Sequence, residues 1–261
     1  MNSPRKPAPA VFFGHGSPMN AIDSNRYTEA WRAIGTAARA PRAILCISAH
    51  WYIAGTAVTA MAQPPTIHDF GGFPQALFDM RYPAPGDPLL AARVRDLLAP
   101  LPVALDYEWG LDHGAWSVLV HAYPKADIPV LQLSIDHRQP PRFHYDLGRR
   151  LGVLRDEGIM IAGSGDVVHN LRAMRQQNGG FDWATRFNDH VRDCLARRDH
   201  APLFDYLDAG TDARQSAPTP EHYLPLLYVL GAQRDGDVLT IATDGLEMGS
   251  IGMLSCVVDA G

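Results

Sequence analysis

Residues 43–51 read AILCISAHW and residues 10–18 read AVFFGHGSP, so in each stretch a short apolar run is followed within a few residues by a histidine. Apolar runs of this length are typical of strands that are buried on both faces of a sheet. The sequence predicts strands at residues 10–13, 43–48, 103–107, 128–134, 158–162, 238–243 and 251–258.

Helical patterns alternate with these strands. Helices are predicted at residues 25–39, 88–98, 116–123, 141–155, 183–198 and 220–230, and several begin at Ser, Asp, Thr or Pro. The alternation predicts an α/β fold, in which residues 1–261 form a single domain around a central, mostly parallel or mixed sheet with helices on both faces. Residues 1–9 are expected to be a loose N-terminal leader.

Two stretches lack a regular pattern. Residues 63–88 contain several aromatic side chains between glycines and prolines, which predicts a loop that folds over another part of the molecule. Residues 209–219 contain no large apolar side chain, so we expect a surface loop there.

Composition narrows the function classes. The chain has 261 residues, 46% of them hydrophobic, and a formal charge of -5, which gives no reason to expect nucleic acid or a membrane as partner. The first ten residues lack the apolar segment of a signal peptide, so we expect a cytoplasmic protein. Cys46, Cys194 and Cys256 are widely spaced, mostly in apolar runs, and are expected to be buried thiols rather than ligands.

Histidines follow several of the predicted strands. His15 and His50 come directly after the first two strands, and His169 follows the strand at 158–162. His113 follows the strand at 103–107 after a short loop, and His222 lies near the start of the last predicted helix. Ligands of open α/β sheets bind at the carboxyl ends of the strands, and histidine is the commonest metal ligand. One such histidine alone is more often structural, but the recurrence favours a metal site.

Other familiar sites are absent from the sequence. It contains no HExxH pair, no P-loop and no GxSxG elbow. His68 in the aromatic loop is a candidate substrate contact. The remaining histidines are expected on the solvated surface; they are His121, His137, His144, His190 and His200.

Five motifs occur together in one order, and the set resembles a known family. They are GHGSP at 14–18, SAHW at 48–51, LDHGAW at 111–116, GSGDVVHN at 163–170 and TPEHYLPL at 219–226. The chain resembles the class III extradiol ring-cleavage dioxygenases of the LigB-like superfamily, in the branch of the DOPA 4,5-dioxygenases. The loop at 69–86 and the MGSIGMLS segment at 248–255 are also similar to that branch.

The resemblance implies a role for each of the five histidines. His15, His50 and His222 would bind one divalent metal, Fe(II) for turnover or Zn(II) as the ion found after isolation, and it stays open whether His169 is a fourth ligand. His169 and His113 would be the catalytic acid-base and hydrogen-bonding groups. Many extradiol enzymes carry a carboxylate in place of His222, and here Glu221 lies beside it.

The resemblance also implies the partners, a small catechol-type diphenol, DOPA-like or related, and O2. His68, Phe70, Trp51 and Tyr82 are the candidate substrate-binding residues. The chain is expected to be a monomer or a small homo-oligomer. Two alternatives remain at this point: a zinc-dependent hydrolase, and a non-catalytic metal-binding protein similar to the Memo proteins.

Overall fold

The computed structural model describes residues 6–37 and 40–261. The strands of this part of the chain are β1 Ala10–Gly14, β2 Ala43–Ser48, β3 Tyr52–Ile53, β4 Thr56–Thr59, β5 Val103–Asp106, β6 Val130–Gln132, β7 Ile135–Asp136, β8 Ile159–Gly165, β9 Asp237–Thr243, β10 Leu246–Glu247, β11 Ile251–Gly252 and β12 Ser255–Ala260. The helices are α1 Arg26–Ala37, α2 Gln75–Phe78, α3 Pro88–Leu97, α4 His113–Ala122, α5 Pro141–Leu151, α6 Asp182–Arg197, α7 Thr211–Ser216 and α8 Leu224–Gly231.

A mixed sheet forms the centre of the fold, in the order β6-β2-β8-β1-β12-β9. Strands β6, β2, β8 and β1 are parallel; β12 pairs antiparallel with β1, and β9 pairs antiparallel with β12. Alternate side chains enter two separate cores: Phe12 and Leu45 pack with Leu227 of α8, while Phe13 packs with Trp116 of α4 on the other face. The predicted α/β fold with a mixed sheet and helices on both faces is confirmed.

Most predicted strands are present, but not all join the central sheet. The strand predicted at 103–107 is β5, which pairs with the unpredicted β4 in a separate two-stranded sheet. The strand predicted at 251–258 is divided into β11 and β12, which belong to different sheets. An apolar run indicates a strand but not its partner, so neither outcome was predictable from the pattern.

Several helix boundaries differ from the prediction, and in one case a side-chain cap explains the difference. Helix α4 begins at His113 rather than at residue 116, because the Asp112 carboxylate accepts the N–H of Ala115 at 3.1 Å. The helix predicted at 220–230 begins only at Leu224. The helix predicted at 141–155 ends at Leu151 and continues as a 3-10 helix, Gly152–Glu157. The helix predicted at 25–39 corresponds to α1, and residues 38 and 39 lie outside the described residues.

The prediction of a surface loop at 209–219 is wrong. This stretch contains α7, which packs against α6 with Ala213 and Ser216 fully buried. Small side chains allow close packing, so the lack of large apolar residues did not indicate exposure. The long stretch at 63–88 is irregular apart from the single turn of α2, as expected.

The structure also corrects the predictions for the N-terminal leader and for three of the histidines. Residues 1–5 of the predicted loose leader lie outside the described residues, but at Ala8 the backbone exchanges hydrogen bonds of 2.8 and 2.7 Å with Arg155. His121, His144 and His200 are buried rather than solvated, because each ring hydrogen-bonds within the protein. The three cysteines are buried, as predicted. Within residues 6–37 and 40–261, no helix has the length and apolar character needed to cross a bilayer.

Candidate active site

One cavity of about 250 Å³ lies at the carboxyl ends of the parallel strands. Five histidines line it together with apolar side chains from four loops. Its lining residues are His15, Gly16, Ser17, Pro18, His50, Phe73, His113, His169, Leu171, Met174, His222, Met248 and Ile251. The structure therefore brings together all five histidines that the sequence placed near strand or helix ends.

The three predicted metal ligands lie close together. The donor atoms of His15, His50 and His222 all lie within 4.8 Å of one another, and Nε2 of His15 is 3.3 Å from Nε2 of His50. Burial, and then the charges of neighbouring histidines, hold the pKa of His15 and His222 well below the usual range and lower that of His50 to about 3. The rings are therefore neutral at neutral pH, which is the protonation state in which imidazole binds metal.

Ser164 fixes the ring of His15. Its hydroxyl donates its only hydrogen to the carbonyl oxygen of Gly114 at 2.5 Å, so the 2.9 Å contact with His15 Nδ1 requires that Nδ1 carry a proton and donate. The lone pair of Nε2 then points into the histidine group. This donor set fits a divalent cation, because unprotonated Nε2 atoms that face one another at close range repel unless a cation lies between them.

The other two candidate ligands also have an outer partner at Nδ1. Nδ1 of His50 lies 3.3 Å from the Asp69 carboxylate, and Nδ1 of His222 lies 3.4 Å from the Glu221 carboxylate. Glu221 therefore contacts the outer side of the His222 ring. The Thr219 hydroxyl donates a hydrogen bond of 2.7 Å to the Glu221 carboxylate. Carboxylates in this position orient histidine ligands and raise their basicity.

A glycine sets the position of His222. A β-carbon at Gly165, the last residue of β8, would overlap the carbonyl oxygen of His222, and the carbonyl in turn accepts the N–H of Asp166 at 2.8 Å. Only glycine allows the end of β8 to approach the turn before α8 this closely. The turn therefore delivers His222 beside the strand that leads to His169.

His169 lies flat on His222, with ring centroids 3.4 Å apart and planes within 7°. Its backbone N–H donates to Ser216 of α7 at 2.7 Å. Burial lowers the pKa of His169 to about 4, which leaves the ring neutral and able to accept a proton. His169 also groups with Asp166 and His222 within 4.8 Å.

Asp166 is a functional candidate that sequence reasoning missed, although it lies within the GSGDVVHN motif. It is fully buried, and Oδ1 accepts the N–H of Gly16 at 2.9 Å. Oδ2 has no hydrogen-bond partner among the described residues and lies 3.7 Å from Nε2 of His15. Burial raises the pKa of Asp166 well above its usual range.

Asp69 is the second missed residue. Its Oδ2 lies 2.9 Å from Nδ1 of His113, and its Oδ1 accepts the backbone N–H of His113 at 2.8 Å. Although partial burial raises the pKa of Asp69, contact with His113 and then with His50 lowers it to about 2. No sequence pattern marked this residue, because its partners are distant along the chain.

The side chains of the aromatic loop lie at different positions relative to the cavity. Phe73 lines the cavity, and Phe70 packs edge-on against His113 with centroids 5.4 Å apart. His68 contacts the carbonyl oxygen of Met80 at 3.1 Å and does not line the cavity.

The predictions for Trp51 and Tyr82 are not supported by their positions. Trp51 is buried and stacks on Trp109 at 5.6 Å, outside the cavity lining. Tyr82 is buried in the core, where its hydroxyl donates to the carbonyl oxygen of Tyr123 at 3.0 Å. Both rings pack as core residues because aromatic character alone does not distinguish a core from a cavity wall.

An α/β sheet with a buried cluster of neutral histidines at the ends of its parallel strands is the site of a metal-dependent enzyme. Residues 9–258 match the family model described as the catalytic LigB subunit of aromatic ring-opening dioxygenase. The chain belongs to this family, and it is an extradiol ring-opening dioxygenase of the class that uses a mononuclear metal, an aromatic substrate and O2.

Individual relatives agree with the family. The chain is 55% identical over 255 residues to the 4,5-DOPA dioxygenase extradiol of Escherichia coli K12, covering 95% of this chain and 93% of that protein. It is 39% identical over 229 residues to the protein of the same name from Beta vulgaris, covering 85% of each. The chain is also similar to the crystal structure of an uncharacterized protein from Escherichia coli K12, with a TM-score of 0.84 and 47% sequence identity. The match covers 98% of this chain and 100% of that chain.

Proposed function

We propose that this enzyme cleaves a catechol-type ring next to its two hydroxyl groups, with one divalent metal held by His15, His50 and His222. The observation that carries the proposal is the arrangement of these rings: each has an outer partner at Nδ1, which leaves Nε2 for the metal. The relatives named 4,5-DOPA dioxygenase support an ortho-diphenol as substrate.

Fe(II) is the ion we propose for turnover, and Zn(II) is the ion expected to compete for the same ligands. Zinc lies above ferrous iron in the affinity order and accepts an all-imidazole site. A divalent ion bound here would polarise both diphenol oxygens and lower the pKa of their protons.

His169 is the proposed acceptor for a proton of the diphenol. It lines the cavity, and burial leaves it neutral at working pH. A placed acid-base group of this kind contributes about 10² to 10⁴ in rate. Its stacking on His222 restricts the ring, so His169 accepts the proton without leaving the cavity wall.

His113 is proposed to stabilise negative charge on the substrate oxygens from the other side of the cavity. With Nδ1 against Asp69, its Nε2 is the atom left for the substrate. Once Nε2 of His113 has accepted the second proton of the diphenol, the Asp69 carboxylate stabilises the imidazolium, and Nε2–H donates back to the oxygen that lost this proton. The pair thus holds positive charge where the reaction creates negative charge.

The cavity wall suits a planar ring. Phe73, Leu171, Met174, Met248 and Ile251 supply apolar surface, and the volume of about 250 Å³ is large enough for a small aromatic molecule. Among residues 6–37 and 40–261, no Lys, Arg, Asp or Glu lines this cavity. A charged substituent on the ring would therefore have to point toward the mouth, where Leu171 is 61% exposed.

Oxygen uptake tests the proposal. The metal-free protein is reconstituted with Fe(II) or with Zn(II) and is given catechol, a 4-alkylcatechol and DOPA in turn. We expect O2 consumption with Fe(II) together with the yellow absorbance of a ring-opened semialdehyde, and neither signal without air. Turnover that continues without air would favour a hydrolase, and metal binding without O2 uptake on any diphenol would favour a non-catalytic protein.

A further inference from the structure

Asp69 belongs to the long aromatic loop, yet its carboxylate contacts two histidines of the site. It lies 3.3 Å from Nδ1 of His50 and 2.9 Å from Nδ1 of His113. We propose that Asp69 is a positioning residue that keeps the proton of both rings on Nδ1, so that both Nε2 atoms are free for the metal and the substrate. This inference rests on the proposed function.

The contact with His50 determines which nitrogen is available to the metal. Although Nδ1 of His113 is not aligned for a hydrogen bond, a carboxylate oxygen 2.9 to 3.3 Å from a ring nitrogen repels a lone pair there and attracts a proton, so Asp69 favours the tautomer of His50 that carries its proton on Nδ1. Ser164 imposes the same tautomer on His15. The two lone pairs therefore face each other across 3.3 Å, an arrangement that a cation stabilises and that water alone does not.

The contact with His113 fixes both the backbone and the ring. The Oδ1 atom accepts the backbone N–H of His113 at 2.8 Å, at the first residue of α4, while Oδ2 lies against the ring nitrogen. Phe70, the next residue of the loop, packs edge-on against the same ring. His113 is thereby held at its backbone N–H, at Nδ1 and by the Phe70 ring, and its side chain lines the cavity.

One carboxylate therefore connects the loop to the metal site and the acid-base site. Phe73, four residues further along, lines the cavity, so the position of the substrate wall also depends on how the loop is anchored. Removal of the Asp69 charge should affect metal binding and turnover together, although Asp69 itself does not line the cavity.

Asp69→Asn tests the assignment with little change in shape. An asparagine that presents its NH2 group to Nδ1 favours the opposite tautomer, in which Nε2 of His50 is protonated and cannot bind metal. Loss of such an outer partner weakens metal binding about 10- to 100-fold. The matched control is Asp79→Asn, an exposed carboxylate of the same loop that contacts Gln75 at 2.9 Å.

The primary measurement is the Kd for Zn²⁺ by competition with a chromophoric chelator, made well below the melting temperature of each metal-free variant. We expect Asp69→Asn to raise this Kd about 10- to 100-fold and to lower kcat at saturating Fe²⁺, with Asp79→Asn unchanged in both. A purely structural role would lower the melting temperature but leave the Zn²⁺ affinity of the folded protein unaltered. Equal Zn²⁺ affinity in Asp69→Asn and the parent overturns the proposal.

A second measurement needs no variant. Long-range ¹H–¹⁵N spectra of the Zn²⁺-bound parent distinguish the two histidine tautomers, and we expect Nδ1–H for both His50 and His113 at neutral pH. Nε2–H at His50 overturns the proposal even if Asp69→Asn does not fold. Absence of O2 uptake by the parent would overturn the proposed function only, because the Zn²⁺ and tautomer measurements do not depend on turnover.

Discussion

Replacement of Ser164 by alanine removes the hydroxyl that holds His15. In the buried site it leaves the Nδ1–H of His15 without a partner, whereas the carbonyl oxygen of Gly114 lies within α4 and keeps its intrahelical hydrogen bond. An unsatisfied buried group costs about 1 to 3 kcal/mol, so we expect the free energy of unfolding of the metal-free protein to fall by about 1 to 3 kcal/mol. Without a fixed tautomer at His15, Zn²⁺ affinity should also fall about 10- to 100-fold, equivalent to about 1.4 to 2.7 kcal/mol.

The assay combines urea unfolding of the metal-free protein with a Zn²⁺ competition titration. Ser134→Ala is the matched control, because Ser134 is also fully buried and links the N–H of Ala57 at 2.8 Å to the carbonyl oxygen of Gly55 at 3.3 Å. It should lose stability but keep its Zn²⁺ affinity. The reasoning is refuted if Ser164→Ala binds Zn²⁺ as tightly as the parent, or if Ser134→Ala weakens binding to the same extent.

Four further substitutions test other parts of the site and the core. His15→Ala should lose bound metal and turnover, whereas His169→Ala should keep metal and lose about 10² to 10⁴ in kcat; equal metal loss after dialysis would favour four ligands. Gly165→Ala should displace His222, reducing Zn²⁺ affinity and destabilising the fold by about 1 to 3 kcal/mol, and a crystal structure with His222 unmoved would contradict this. Burial lowers the pKa of His144 from 6.5 to about 4, so the unfolded chain takes up a proton first as pH falls. About 3 kcal/mol of stability should be lost between these pH values; His144→Leu should lose less, and parallel pH profiles in urea unfolding would exclude the effect.

The central strands were predictable because burial on both faces leaves a continuous apolar run, as in β1, β2 and β8. The placement of His15 and His50 followed from these strands, since parallel strands deliver their carboxyl ends to one edge of the sheet. The pairing of β4 with β5 was not predictable, because a short run has the same pattern whichever sheet it joins.

The supporting residues of the site could not be predicted in the same way. Ser164 lies two residues beyond the strand predicted at 158–162, and Asp69 lies in an irregular loop; each acquires its role from a partner far along the chain. The aromatic residues show the same limit. Tyr82 and Phe73 belong to one loop and have similar side chains, but the fold buries the first in the core and exposes the second to the cavity.

The carboxylates around the histidines change the electrostatics that an all-imidazole ligand set would otherwise have. Three neutral imidazoles leave both charges of a divalent ion uncompensated, whereas a facial triad includes one anionic ligand. Here Asp69 and Glu221 contact the outer nitrogens of two ligands, and Oδ2 of Asp166 lies 3.7 Å from Nε2 of the third. A cation near His15 would oppose the effect of burial on Asp166 and favour its ionised form. Negative charge from Asp69 and Glu221 is therefore available at two of the three candidate ligands without occupying a coordination position, which would leave those positions for the proposed diphenol and O2.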